Sequence, residues 1–201
     1  MVPDPAPSMT QVVLIRPGAT AYDEQKRVQG VLDLPLSARG KAEVVELAGQ
    51  LGGQLLVAIY CGPGESAGHT ADAVGHELGL RPKRVEELRN LDCGLWQGLQ
   101  LEEIRRRNAK VFRQWLEEPL TVCPPNGESV ASALDRIKAA LRPLLRKHRN
   151  ESIALVAAEP IAALIGAYLR QERRVQLHDE GGTGSFERIE VSPELCRNGD
   201  G

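Results

Sequence analysis

The chain has 201 residues, 42% hydrophobic and 26% charged, which is enough apolar material for a full core in one domain with an inserted cap. A formal charge of -2 and a pI near 6.1 give no electrostatic reason to expect nucleic acid or an anionic membrane as a partner. Four cysteines (Cys61, Cys93, Cys123, Cys196) are widely spaced with no CxxC pair and no signal peptide, which argues against a disulfide framework or a zinc ribbon and fits a cytoplasmic protein.

The three prolines of residues 1–10 (Pro3, Pro5, Pro7) and their low apolar content predict a flexible tail. Val12, Val13, Leu14 and Ile15 then form an apolar run too short for a helix and too continuous for a strand with one wet face. It reads as a fully buried central strand. Pro17 and Gly18 force a turn there, so Arg16 is delivered to the carboxyl end of the strand, the rim where open α/β sheets bind ligands. Residues 17–36 read as a long loop, and loops of that length often line a site. Ser37 caps a predicted helix to about Leu51, with Val44, Leu47, Ala48 and Leu51 on one stripe and Gly52 and Gly53 at its end.

Leu55 to Tyr60 is the next predicted strand, and Cys61-Gly62-Pro63-Gly64 turns it into a helix with Ala67, Thr70 or Ala71, Val74 and Leu78 facing inward. A short strand is expected at Arg84 to Leu88, then an irregular loop from Asn90 to Gln100. Leu101, Ile104, Val111, Trp115 and Leu116 mark amphipathic helix, which Pro119 stops. After the Pro124-Pro125-Asn126-Gly127 turn, Glu128 or Ser129 opens a helix with inner residues Val130, Leu134, Ile137, Leu141 and Leu145, and Pro143 is expected to kink it. Ile153 to Ala157 reads as a buried strand, Ile161 to Leu169 as a helix, and Ser185 to Val191 as a late edge strand. The break at Glu159-Pro160 makes residues 153–169 strand, turn and helix rather than a membrane span. The fold class expected is α/β: a three-layer sandwich with a mostly parallel sheet and helices on both faces. Residues 11–192 form its single domain, residues 90–126 a lid region, and residues 193–201 a second flexible tail.

Several local stretches together carry a family resemblance over residues 10–192. LIRPGAT (14–20) stands where the family has LIRHGET, and VQGVLDLPLSARG (28–40) is similar to its "QG..D.PLS..G" segment. LRNLDCGLWQGL (88–99) resembles LREIDFGEWEGL, and PPNGES (124–129) resembles the family's GGES turn. On these residues the chain resembles the histidine phosphatase superfamily, the phosphoglycerate-mutase-like proteins. The resemblance implies a phosphomonoester phosphatase or mutase with its site at the rim inferred above.

It also implies a pocket that this chain has changed. The family's nucleophilic histidine follows the first arginine, where Pro17 stands. Its second histidine, in a VSHGG-like segment, matches Ala158 of VAAEP (156–160), with Glu159 and Pro160 in place of the glycine pair. A second phosphate-binding arginine, in "YSSPLxRAxxTA", matches Ser66 of YCGPGESAGHTA (60–71), and the glutamate that protonates the leaving group matches Asn90. Of these five residues only Arg16 remains, so no functional catalytic residue is expected.

Each change has a chemical consequence. Phosphohistidine chemistry needs an imidazole nitrogen, which proline lacks. A short serine cannot replace a bidentate guanidinium clamp, and asparagine does not exchange a proton near neutral pH. If Glu159 faces the pocket it opposes a phosphate dianion by about 4 kcal/mol per unit charge pair at ~4 Å and an effective dielectric of about 20. Two readings of Arg16 stand: an anion ligand, or a buried ion-pair partner of Glu159, with the second favoured and expected to seal a collapsed pocket. Glu159 reads equally well as a solvated turn residue before Pro160.

The remaining groups have bland readings. Cys61, Cys93 and Cys123 fall in loops near the same rim but read as small apolar residues. His69, His76, His148 and His178 show no Ser/His/Asp or HxxxH pattern and are expected to be solvated; His69 and His76 would be roughly 10 Å apart on a helix, too far for one metal. Arg105, Arg106, Arg107, Lys110 and Arg113 are flanked by Glu102, Glu103, Glu117 and Glu118 and read as an ordinary charged helix face. Trp96 and Trp115 read as packing anchors near the lid, and Gly181-Gly182-Thr183-Gly184 as a turn rather than a phosphate loop. No metal and no cofactor are called for.

The function expected from these residues is a catalytically inactive pseudo-phosphatase acting as a binding, regulatory or scaffold protein, or as half of a homo-oligomer, with its partner unnamed. Two alternatives stand beside it: a residual hydrolase using Cys61 or Glu159, and a small-molecule binder re-purposed for a neutral or cationic ligand.

Overall fold

Strand β1 (Thr10–Arg16) lies between two strands from the far end of the chain: β4 (Ser152–Val156), parallel to it, and β5 (Ser185–Val191), antiparallel. The computed structural model describes residues 9–177 and 182–197; of the tails expected at residues 1–10 and 193–201, residues 1–8 and 198–201 lie outside the described residues, as do His178 and Gly181, whereas Thr10 is not tail but the buried first residue of β1. With β2 (Ala58–Cys61) and β3 (Lys83–Arg84) the sheet has five strands in the order β3-β2-β4-β1-β5, parallel except for β5 at one edge.

The continuous apolar runs in β1 and β4 reflect burial on both faces. Val12 and Leu14 face one core cluster with Ile153 and Leu155, whereas Val13 and Ile15 face the other with Ala154 and Val156. Helices α2 (Ala38–Leu51) and α3 (Glu65–Leu78) cover the second face through Leu47, Leu51, Ala71 and Val74. Helices α6 (Val130–Lys147) and α7 (Ile161–Leu169) cover the first through Ile137, Leu141, Leu145 and Leu164. These leucines are wholly buried, and truncating one to alanine costs about 2–5 kcal/mol. The result is the expected three-layer α/β sandwich.

The sheet has its switch point between β1 and β4. The chain leaves β1 through α2 toward β2 on one side, and leaves β4 through α7 toward β5 on the other. The carboxyl ends of the two central strands therefore open a crevice.

Local departures from expectation have local causes. The loop of residues 17–36 contains a one-turn helix, α1 (Ala21–Glu24), because Thr20 and Asp23 form a capping box. Leu55 and Val57, expected in β2, are exposed, and the strand instead runs to Cys61, whose neighbours in β4 and β3 pair with it. The expected strand at residues 84–88 shrinks to β3, because Glu86–Leu88 closes into a 3-10 turn that buries Leu88. The amphipathic stretch at 101–117 is two helices, α4 (Leu101–Arg107) and α5 (Ala109–Glu117), broken at Asn108. Pro143 sits inside α6 without ending it. Residues 193–197, expected in a tail, form turns that bury Cys196 against the core.

Candidate functional site

The register of the central strands builds the site. Ile15 pairs with Val156, and the amide of Ala157 donates to the Ile15 carbonyl at 3.1 Å, so Arg16 and the Ala158-Glu159 turn emerge side by side. On the other flank Glu187 of β5 lies opposite Leu14, which points it to the same face of the sheet as Arg16.

Arg16 is 3% exposed, and its guanidinium meets carboxylates from both neighbours. Nε donates to Glu159 Oε1 at 2.7 Å, and Nη1 donates to Glu187 Oε1 at 3.1 Å. Glu187 Oε2 in turn takes Arg170 Nη2, and Arg170 Nη1 lies 3.5 Å from Glu172. The ion-pair reading of Arg16 therefore holds, with a second acid that the sequence did not point to.

Glu159 lies exposed in the turn before α7, as one of its two readings expected, yet its carboxylate is engaged. Its Oε2 accepts the Ala163 amide at 3.1 Å in the first turn of α7, where Pro160 is the N-cap and offers no side-chain acceptor. One carboxylate thus neutralises a buried guanidinium and satisfies an orphan donor at a helix N-terminus, where negative charge is favoured.

The turn after Arg16 is held by its backbone. Gly184 N donates to the Pro17 carbonyl at 2.8 Å, Gly18 N to Thr70 Oγ1 at 3.2 Å, and Ala19 N to Glu43 Oε2 at 2.9 Å. A Cβ on Gly18 would fall 2.3 Å from the Gly40 carbonyl, and one on Gly40 would fall 2.0 Å from the Ala19 carbonyl. The two glycines let this turn press against the start of α2. Burial works against the Glu43 charge, but the Ala19 amide, the Thr183 hydroxyl and the Arg39 guanidinium outweigh it and hold its pKa below the usual value.

Arg16, Pro17, Ser66, Ala158 and Glu159 line one cavity of about 440 Å³. Asn90 does not line it; it lies on an adjacent cavity of about 220 Å³ that shares Ser66 and Ala158. Four altered positions and Arg16 are therefore brought together, and the fifth stands next door with its side-chain oxygen accepting its neighbour Leu91 amide at 2.8 Å. The expected sealing does not occur. The Arg16–Glu159 pair forms, but it lines a cavity that stays open, together with Phe112 and Trp115.

Trp96 and Trp115 pack edge to face at 5.9 Å and both line this cavity, so they are wall residues as well as packing anchors. Of the rim cysteines only Cys93 lines it, and burial, helped by Asp92, pushes its thiol up to about 12. Burial likewise raises Cys61, partly countered by Arg84, and Cys61 lines neither cavity. Cys123 is exposed. His69 and His76 are on the solvent side of α3, but His148 is not solvated as expected: it is 6% exposed, with Nε2 at 2.8 Å from Tyr60 Oη and Nδ1 at 2.7 Å from Glu151. That pairing depends on the turn after α6 meeting β2, a contact without a sequence signal. The basic residues of α4 and α5 are exposed, and Arg105 and Arg107 pair with Glu102 and Glu103.

Comparison with known proteins fits this geometry. The model of the histidine phosphatase superfamily (branch 1) matches residues 12–196. The chain belongs to this superfamily. A phosphoserine phosphatase 1 from Hydrogenobacter thermophilus is 32% identical over 162 residues, covering 80% of this chain and 77% of that protein. Among solved structures, a mycobacterial glucosyl-3-phosphoglycerate phosphatase in complex with VO3 has a TM-score of 0.80 at 26% identity, covering 89% of this chain and 91% of the other. Bacillus stearothermophilus YhfR has a TM-score of 0.79 at 25% identity, covering 91% and 92%. Among the described residues no helix is long and apolar enough to cross a membrane, and no group of three metal-ligating side chains occurs.

Proposed function

We propose that this chain is a catalytically silent histidine phosphatase fold that works as a binding protein. The observation that carries the reading is Pro17: it stands in the cavity wall directly after Arg16, where the family resemblance implies the nucleophile, and it offers no atom that can attack phosphorus. Ser66 and Ala158 in the same wall, and Asn90 beside it, support the reading by supplying neither a second phosphate clamp nor a proton donor. The anion site is filled from within, since Arg16 already holds Glu159 and Glu187.

The residual-hydrolase alternative draws little support. Cys61 is away from the cavity, Cys93 is protonated at neutral pH, and the Glu159 carboxylate is held by Arg16 and the Ala163 amide. The open cavity instead favours a re-purposed binder of small molecules. Residues 11–192 act in this reading as one domain, with residues 90–126 as the lid over the cavity, and the free thiols Cys61, Cys93, Cys123 and Cys196 suit a cytoplasmic location.

Turnover of phosphoserine and p-nitrophenyl phosphate tests the reading, with Arg16→Ala as the control for adventitious activity. Equal, background release of phosphate from both proteins is expected. Turnover by the wild type that Arg16→Ala abolishes would overturn it.

A further inference from the structure

The cavity above the Arg16–Glu159 pair combines features that a phosphate-ester site does not need. Helix α5 is strongly amphipathic, yet it buries no residue fully: Phe112 and Trp115 on its apolar face are only partly covered and line the cavity. Ile104 and Trp96 continue that wall. A volume of about 440 Å³ falls within the usual range of roughly 300–1,000 Å³ for small-molecule sites, which are mostly apolar with a few placed polar groups.

Of the Arg16–Glu159 pair that lines the cavity, the acid is the outer member. The Glu159 side chain is 35% exposed while Arg16 beneath it is 4% exposed, so an entering ligand meets carboxylate before guanidinium. Arg39 at the cavity edge is itself paired with Glu43 at 2.7 Å. Lys26 and Arg27 also line the cavity, but Lys26 is exposed, where a charge contributes on the order of 0–1 kcal/mol to a contact, and the half-buried Arg27 guanidinium already donates to Gln25 and the Gly98 carbonyl. A carboxylate in the cavity lining accepts hydrogen bonds and rejects anions.

Resting on the reading that the chain does not turn over phosphomonoesters, we propose that this cavity binds an amphiphile with a hydrogen-bond-donating end. An apolar ring or branched body packs on Phe112, Trp115, Trp96 and Ile104, and an ammonium, amide or hydroxyl group donates to the Glu159 carboxylate. The polar end is uncharged or cationic, and a phosphate or carboxylate end is excluded.

The two tryptophans of the chain both line the cavity, so intrinsic fluorescence reports occupancy directly. The probes are phenethylamine, phenethyl alcohol and phenethyl phosphate, matched in body and differing in the polar end. Saturable emission changes with the amine and the alcohol are expected, with the phosphate ester about tenfold weaker or worse. Glu159→Gln should lower amine affinity about fivefold or more and narrow the gap to the phosphate ester. Phe112→Ala, at a partly exposed position, should weaken all three probes while the unfolding transition stays cooperative. Phenethyl phosphate binding as tightly as the alcohol, or no response to amine and alcohol up to about 10 mM, overturns the ligand class. Release of inorganic phosphate from phenethyl phosphate, lost in Arg16→Ala, would instead overturn the silent reading, so the two failures are separate.

Discussion

Removing Glu159 should turn Arg16 back into an anion site. A phosphate seated on Arg16 would lie near the Glu159 carboxylate, and at ~4 Å with an effective dielectric of about 20 each unit charge pair costs about 4 kcal/mol. Because that side chain is 35% exposed, screening reduces this to roughly 2 kcal/mol per charge, or about a thirtyfold penalty on affinity. Glu159→Ala also returns the Nε donor that Glu159 occupies, and a hydrogen bond to a charged group contributes about 1.5–3 kcal/mol. The substitution leaves Glu187 on Nη1, so Arg16 is not stranded, but it removes the acceptor of the Ala163 amide at a cost of about 1 kcal/mol in stability. Calorimetric titration with orthophosphate should therefore show at least thirtyfold tighter binding to Glu159→Ala than to the wild type, with Glu159→Gln between them. Equal phosphate affinity in all three proteins would refute the electrostatic argument, and tight binding to the wild type would refute the self-filled site.

Other expectations follow from the same geometry. Pro17→His alone should not restore phosphoryl transfer, since Ser66, Asn90 and Ala158 remain and Glu159 still occupies Arg16; rapid-quench labelling with a radioactive phosphomonoester checks this, and a phosphorylated protein would contradict it. Gly40→Ala places a Cβ 2.0 Å from the Ala19 carbonyl, and because the obstacle is backbone the turn must shift, at about 1–3 kcal/mol in urea unfolding. An unchanged or higher midpoint would show that the turn yields freely. Glu43 has a folded pKa below its ordinary value of 4.5, so its contribution to stability is full above that value and is lost as pH falls through the lowered folded pKa. Glu43→Gln should be less stable than the wild type at neutral pH, with the two converging in acid; a constant gap down to the lowest pH would remove this role.

The parts of the molecule legible in the sequence are those set by local pattern. Val12 to Ile15 and Ile153 to Val156 are apolar at every position because both faces of their strands are covered, and no other environment calls for that. Ser37 likewise carries its own explanation as a cap, whereas Gly18, read in the sequence as a turn residue, is required by its close approach to the start of α2. What stayed hidden depends on long-range register. Glu187 reaches Arg16 only because β5 runs antiparallel to β1 with Leu14 opposite it, and nothing near residue 187 announces that pairing. His148 became a buried hydrogen-bonded group through a similar distant contact with Tyr60. The pocket was expected to seal because Glu159 would pair with Arg16, but the pair forms and the cavity stays open, since an ion pair does not determine the distance of the lid. Phe112 and Trp115 remain over open space, and Leu55 and Val57, equally apolar, ended at the surface outside β2.

Arg16 is held either by Glu159 or by an incoming anion, and a crystal of the wild-type protein soaked in vanadate reads this directly. The self-filled site predicts Arg16 Nε still hydrogen-bonded to Glu159 at about the present 2.7 Å, with no vanadium at the guanidinium. Vanadate seated on Arg16, with Glu159 swung away from it, would contradict the central claim.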